Sequence, residues 1–247
     1  MKVLVSPKFE YLREYIETIP DRFENEGEKI YVGRNLIKML VVDGLQINVK
    51  SYGIPRIFNR IIYSFFRSPK GERAFIYPTI LLQKGFQTPE PIAYIEKRQY
   101  GLISQSYFIS LQCPYKRNFY EFGDADIEDC SDVVKAFARY SARLHEAEIL
   151  HRDYSPGNIL FDKINGKYQF SLVDINRMSF GKISVKDGCA NFARLWGQIP
   201  FFELLAKEYA SARGADENLC REWVLGYRKI FWKRFVKKHK IKYKLNF

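Results

Sequence analysis

The chain has 247 residues, 47% of them hydrophobic and 28% charged. This is globular composition with enough length for a packed core, and it excludes a largely disordered protein. The formal charge is +12, and residues 228–247 alone carry nine Lys/Arg and no acid, leaving about +3 for the rest of the chain. No run of about 18 apolar residues occurs, so no membrane-spanning helix is expected. The N-terminus, MKVLVSPKFEYLREY, lacks the apolar core and cleavage site of a signal peptide, so the expected compartment is the cytoplasm. Cys113, Cys130, Cys189 and Cys220 form no CxxC pair, so reduced thiols are expected rather than a structural zinc.

In chain order, KIYVGRNLIKMLVV and LQINVK read as successive antiparallel strands around an Asp43-Gly44 turn. Residues 54–67 place Ile57, Ile61, Ile62, Phe65 and Phe66 at helical spacing, with Arg56, Asn59, Arg60 and Arg67 between them. A second helix is predicted over 71–84, ending near Gly85, with Pro78 expected to shorten or kink it. Residues 91–96 and 101–112 read as strands. Val134, Phe137, Ala138, Ser141 and Leu144 predict an amphipathic helix over 131–147, with Ser131 as its N-cap. Residues 158–161 and 170–174 are short β-like runs around Asn165-Gly166, and the chain reads as helical beyond residue 185. The predicted fold class is α+β in two lobes: a β-rich lobe over 1–112 and a helical lobe over 113–247.

The sharpest chemical signal is LHEAEILHRDYSPGNILF at 144–161, followed by LVDIN at 172–176. His151-Arg152-Asp153, then Asn158, then Asp174 ending an apolar run, resemble the H-R-D-x-x-x-x-N loop and metal-binding aspartate of protein kinases. Phosphoryl transfer asks a protein mainly for positioning and charge neutralisation. Asp153 would meet the acceptor hydroxyl, and Asn158 and Asp174 would hold Mg²⁺ against the phosphates of ATP. His151 is expected to support the loop, and His145 and His239 suggest no metal site. Upstream, Lys50 ends the alternating strand LQINVK and is the candidate for the α/β-phosphates. Glu72 is the only acid between Lys50 and Glu90, which makes it the candidate partner of Lys50. Gly33 in YVGRNLIK is the single glycine of the expected phosphate-covering loop. Residues 108–112, Ser110 and Gln112 among them, would offer backbone groups to adenine.

Several features narrow the resemblance. Ser155 stands two residues after Asp153, where serine/threonine protein kinases commonly have lysine. No A-P-E follows, and only 73 residues remain after Asp174. TPEPIAY at 88–94, the basic aromatic run at 48–74, HRDYSPGNILF, LVDINRM at 172–178 and NFARLWG at 191–197 resemble the lipopolysaccharide core heptose/Kdo kinase family. The resemblance covers about residues 29–200. It implies ATP- and Mg²⁺-dependent phosphorylation of a lipid-linked sugar hydroxyl, with the enzyme peripheral on an anionic inner membrane. The tail at 228–247 and the 54–67 segment, both basic and aromatic, suit such a surface. An atypical RIO-like serine/threonine protein kinase is the second possibility; its tail would recruit an acidic or RNA-containing partner, although nucleic acid is not the partner expected here. A nucleotide-binding pseudokinase is the third, and the joint presence of Lys50, Asp153, Asn158 and Asp174 weighs against it.

Overall fold

The computed structural model describes residues 1–54, 57–65, 68–241 and 245–246, with the backbone alone for Ile57, Asn59 and Phe65. Arg56, Phe66, Arg67 and Tyr243, and the side chains of Ile57, Asn59 and Phe65, which the sequence placed in basic aromatic segments, lie outside the described residues. The chain divides into two compact units, Met1–Pro114 and Tyr115–Phe247.

The first unit contains β1 (Lys2–Val5), α1 (Arg13–Arg22), β2 (Glu28–Val32), β3 (Asn35–Val42), β4 (Leu45–Tyr52), α2 (Ile57–Phe65), α3 (Lys70–Gln83), β5 (Pro91–Gln99) and β6 (Leu102–Leu111). Its antiparallel sheet runs β1-β5-β6-β4-β3-β2. The Asp43-Gly44 turn joins β3 to β4, and both residues have positive φ (49° and 77°), which matches the right-handed twist of the flanking strands. One sheet face buries Leu40, Ile47, Val49, Ile95, Tyr107 and Ile109 against Phe9, Leu12, Ile16, Ile19 and Phe23. Side chains alternate along a strand, so Asn48 and Lys50 point to the other face, with Phe108 and Ser110 of β6 and Tyr94 of β5. α3 lies on that second face. Gly71 permits the close approach, because a Cβ there would sit 2.6 Å from the Tyr94 ring. The helix continues through Pro78 and ends before Gly85, whose φ is 79°.

The segment before the sheet, α1 included, was not anticipated from the sequence. A buried cation holds it. Lys38 is 2% exposed, and its ammonium donates to the carbonyls of Phe23 (2.5 Å), Glu24 (2.9 Å) and Glu26 (3.0 Å) at the C-terminal end of α1. All three N–H donors are thereby satisfied, at the helix end where the macrodipole favours positive charge.

The second unit contains β7 (Arg117–Asn118), α4 (Ile127–Glu146), β8 (Ile149–His151), β9 (Ile159–Ile164), β10 (Lys167–Leu172), β11 (Met178–Phe180), α5 (Val185–Asn191), α6 (Ile199–Arg213) and α7 (Glu217–Phe235). The chain is thus β-rich first and helical second, the α+β class read from the sequence. α4 begins four residues before the predicted start. Asp126 is the N-cap position, Glu128 and Asp129 fill the first turn, and Ser131 lies inside the helix, which corrects the predicted cap. The core is aromatic: Phe119, Phe137, Tyr154, Phe161, Phe170, Phe192 and Tyr209 are all 4% exposed or less. The tail read as a surface anchor is partly core. Trp232 is 0% and Arg228 1% exposed, Phe231 and Phe235 are half-buried, and Leu245 is 6% exposed. The Arg228 guanidinium donates to the carbonyls of Gly197 (2.8 Å) and Asn246 (2.6 Å).

Replacing Lys38 by Met removes the donor for three carbonyls at the end of α1. The expected cost is about 1–3 kcal/mol, read as a lower thermal midpoint; an unchanged midpoint would show that the α1 cap contributes nothing.

Candidate active site

β8 and β11 pair with His151 opposite Met178, and β9 and β10 form a hairpin whose Asn165-Gly166 turn again has two positive φ values (51° and 75°). Between these strands lies the loop with the His151-Arg152-Asp153 to Asn158 spacing. His151 is fully buried. Its Nδ1 accepts from the Asp153 N–H (3.0 Å), so the proton is on Nε2, which donates to the Val173 carbonyl (3.0 Å). Burial lowers the pKa of this imidazole and keeps it neutral. One ring therefore ties the residue that begins the loop to the residue before Asp174.

Asn158 closes the loop from the other end. Its Nδ2 donates to the Asp153 carbonyl (2.8 Å), its N–H to Ser155 (2.9 Å), and its carbonyl accepts from Val173 (3.0 Å). With the amide nitrogen committed, Oδ1 is the face left for a ligand. Asp174 adopts a left-handed conformation (φ 54°, ψ 39°), tolerated by Asp better than by most residues but still costing about 1–3 kcal/mol. Its Oδ1 accepts from Asn176 Nδ2 at 2.5 Å. Asp153, Asn158 and Asp174 are thus brought onto one rim. Tyr154, fully buried, anchors the loop to α4 through a 2.9 Å hydroxyl contact with Ser141.

Mg²⁺ takes oxygen ligands and needs only one or two from protein. Asn158 Oδ1 and the Asp174 carboxylate are of that kind. In the same turn, Asn176 Oδ1 is a buried acceptor with no hydrogen-bond partner among the described residues. This donor set fits the ion. Among the described residues, no group of three or more His, Cys, Asp or Glu is placed to hold a metal.

Two arginines were missed by sequence reasoning. Arg194 Nη1 binds Asp153 Oδ1, and Arg177 Nη1 lies 3.3 Å from Oδ2. Both residues fall within motifs that the sequence singled out, LVDINRM and NFARLWG, but spacing alone cannot show an arginine 41 residues away reaching Asp153.

A buried polar chain supports the loop from behind. Arg213 donates to the Tyr209 hydroxyl (2.7 Å), which donates to His145 Nδ1 (2.9 Å). His145 Nε2 donates to Asn191 Oδ1 (3.2 Å), and Asn191 Nδ2 donates to the His151 carbonyl (2.9 Å). Gly188 leaves room for it, since a Cβ there would sit 1.8 Å from the Tyr209 oxygen.

In the first unit, Gly33 sits in the tight link between β2 and β3. Its N–H donates to the Asn35 carbonyl (3.1 Å), and a Cβ would meet the Tyr31 ring. A cleft of about 100 Å³ lies beside this link, lined by Arg34, Asn35, Tyr52, Gly53 and Lys70 among others. Lys50 pairs in register with Ile37 and Phe108, and its ammonium lies 5.3 Å from the Tyr52 ring centre. Two expectations are corrected. Glu72, in the first turn of α3, is bound by Lys2, a partner the sequence reading did not give it. Ser110 lies within β6, and the Gln112 N–H is already engaged by the Gln46 carbonyl (2.9 Å), so that donor is not open to a base.

The buried chain makes a pH prediction. Burial depresses the pKa of His145 from 6.5 to about 4. The folded state holds it neutral while the unfolded state protonates it, so its contribution is complete above pH 6.5 and is lost as pH falls toward 4. The loss is on the order of 3 kcal/mol. In urea titrations across this range, the stability gap between wild type and His145→Gln should narrow as pH falls; parallel curves would overturn the assignment.

Comparison with known proteins is consistent with this geometry. The family profile described as "Lipopolysaccharide kinase (Kdo/WaaP) family" matches residues 59–203. A search of curated proteins finds no match. The chain is similar to a solved structure of WaaP in complex with acyl carrier protein, with TM-score 0.59 and 15% identity over 94% of this chain and 100% of the other. It is also similar to a microcompartment-associated aminopropanol kinase, with TM-score 0.52 and 10% identity over 92% and 90%. At these identities the two structures establish the fold, which is that of kinases. The profile spans more than half of the chain, residues 151–174 included, and the chain therefore belongs to the lipopolysaccharide kinase (Kdo/WaaP) family of phosphotransferases.

Proposed function

We propose that this kinase transfers the γ-phosphoryl group of ATP, with Mg²⁺, to a sugar hydroxyl of the lipopolysaccharide inner core. The observation that carries this reading is the loop in which Asp153, Asn158 and Asp174 are joined through His151, Val173 and the Asn158 side chain. The acceptor oxygen bonds to the γ-phosphorus while the bond to the β,γ-bridging oxygen breaks, and ADP leaves with that electron pair. Asp153 takes the hydroxyl proton and later releases it to solvent. Asn158 and Asp174 would hold Mg²⁺, which when bound would neutralise charge on the phosphate oxygens. We assign Lys50 to the α/β-phosphates and the Gly33 link to their cover. Tyr120 contacts the loop at Gly157 and packs edge-on against Trp196 (5.3 Å), giving the aromatic wall that suits a sugar ring.

The test is transfer of ³²P from ATP to lipopolysaccharide extracts. Asp153→Asn should lower turnover by about 10²- to 10⁴-fold while ATP binding persists. Wild-type-like turnover in the variant would overturn the role of Asp153, and preferential labelling of a generic protein would favour the protein-kinase alternative.

A lipid-linked acceptor calls for an enzyme that visits the bilayer, and we assign it to an anionic membrane surface. Lys229, Lys233, Arg234, Lys237, Lys238 and Lys240 are exposed, while their neighbour Trp232 is buried. On α2, Phe58, Ile61 and Ile62 are exposed at 79, 40 and 44%. Charge attraction is thus assigned to α7 and the residues after it, and apolar insertion to α2. The similar WaaP structure holds an acyl carrier protein, which makes such a protein a second partner to test by co-purification. Truncation before Arg228 would destroy core, so charge removal is the cleaner probe. Lys233→Gln/Lys237→Gln/Lys238→Gln should weaken sedimentation with anionic liposomes on the order of 100-fold, at about 1 kcal/mol per cation. Undiminished binding would remove this face from the interface.

A further inference from the structure

We infer that Arg177 and Arg194 form a seat for an anionic group of the acceptor, a carboxylate or a phosphate near the hydroxyl to be phosphorylated, and that Asp153 occupies this seat when the acceptor is absent. The inference rests on Asp153 as the proton acceptor. Two guanidinium charges meet one carboxylate charge, so one positive charge is unmatched. Neither arginine makes another ion pair among the described residues. Each meets Asp153 through a single nitrogen, although a guanidinium has five N–H donors arranged for bidentate recognition. Both side chains remain reachable, at 46% and 41% exposure against 19% for Asp153. Arg194 also rests over the Phe231 ring (5.4 Å to the centre), which fixes its plane and leaves its edge for a ligand.

One cation would suffice to orient the Asp153 carboxylate. Its main chain is already held by three bonds, its N–H to His151 Nδ1 and its carbonyl from Ser155 (2.8 Å) and Asn158 Nδ2 (2.8 Å). The phosphates of ATP are assigned to Lys50 and Mg²⁺. The surplus positive charge therefore belongs to the acceptor. An acceptor anion that engages both forks draws them away from Asp153 and leaves a carboxylate oxygen for the hydroxyl proton. Binding of the correct acceptor and exposure of the base are then one event.

The test uses three forms of lipopolysaccharide core as acceptor: native, carboxyl-reduced and dephosphorylated. For the wild type, removing the recognised anion should lower kcat/KM by about 10- to 100-fold, the worth of a charge-assisted pair; which modified form suffers identifies the anion as carboxylate or phosphate. Arg177→Gln and Arg194→Gln should reduce that discrimination to below about 5-fold, and Arg194→Lys should restore part of it. Calorimetric titration of the same acceptors without ATP supplies the same ratios where turnover is too low. Variants that discriminate like the wild type, or a wild type indifferent to both removals, would overturn the seat. Asp153→Asn run alongside separates the two claims. If it remains active, the role of Asp153 fails; if it is inactive while the arginine variants still discriminate, only the seat fails.

Discussion

The loop from His151 to Asn158 depends on a run of hydrogen bonds that has one consistent assignment of protons. Arg213 can only donate, so Tyr209 accepts from it and spends its own proton on His145 Nδ1. That leaves His145 Nε2 as donor to Asn191, whose amide then faces the His151 carbonyl. At His151 the direction is set by the Asp153 N–H, and the far nitrogen donates to Val173. Every member has its partner, so α6, α4, α5 and the loop are fixed relative to one another. The low dielectric around the two buried imidazoles strengthens each bond and makes an additional proton costly. Gly188 is part of the same constraint, because any side chain there would enter the space of the Tyr209 hydroxyl.

The aromatic excess of the composition serves this arrangement. Phe137 lies 5.4 Å from Tyr154 and 5.5 Å from Phe170, and Phe192 packs edge-on against Tyr209 at 5.1 Å. These rings form an apolar, rigid bed beneath a polar loop, a division seen in ligand sites generally. The run NFARLWG shows how densely the two roles interleave. Asn191 holds the loop, Phe192 is core, Arg194 meets Asp153, Trp196 packs against Tyr120 and Trp232, and the Gly197 carbonyl receives Arg228.

Local chemistry was the legible part. Asp43-Gly44 and Asn165-Gly166 announced hairpins because their backbone preferences act over two residues, and both turns are where they were read. The H-R-D-to-Asn spacing was legible because one short loop must bring those groups together. α1 was hidden by Pro20 and by a polar exterior, although Phe9, Leu12, Ile16, Ile19 and Phe23 follow helical spacing. The start of α4 was missed because its first turn is mostly solvated and polar, so apolar periodicity begins one turn late. Glu72 was given to Lys50 by elimination along the sequence, whereas its partner Lys2 lies 70 residues away. Pairing across such distances is a property of the folded sheet, and no local pattern encodes it.

The positive charge is used in three physically different ways. Lys38 and Arg228 are buried, and the hydrogen-bond partners they have are main-chain carbonyls. Burial lowers the pKa of Arg228 to about 10, which still leaves it charged near neutrality. Carbonyl dipoles, together with the Phe202 ring 4.7 Å from its guanidinium, therefore carry its solvation. These two cations fasten chain ends, the N-terminal helix in one unit and Leu245–Asn246 in the other. Arg177 and Arg194 sit at intermediate exposure on the one carboxylate the loop presents. The lysines from 229 to 240 are exposed, where a charge costs little to keep and is open to what approaches. A cation with a buried carbonyl partner is committed to structure, and one in water is available to a surface. The pair on Asp153 lies between these limits, with enough contact to be ordered and enough exposure to exchange its partner.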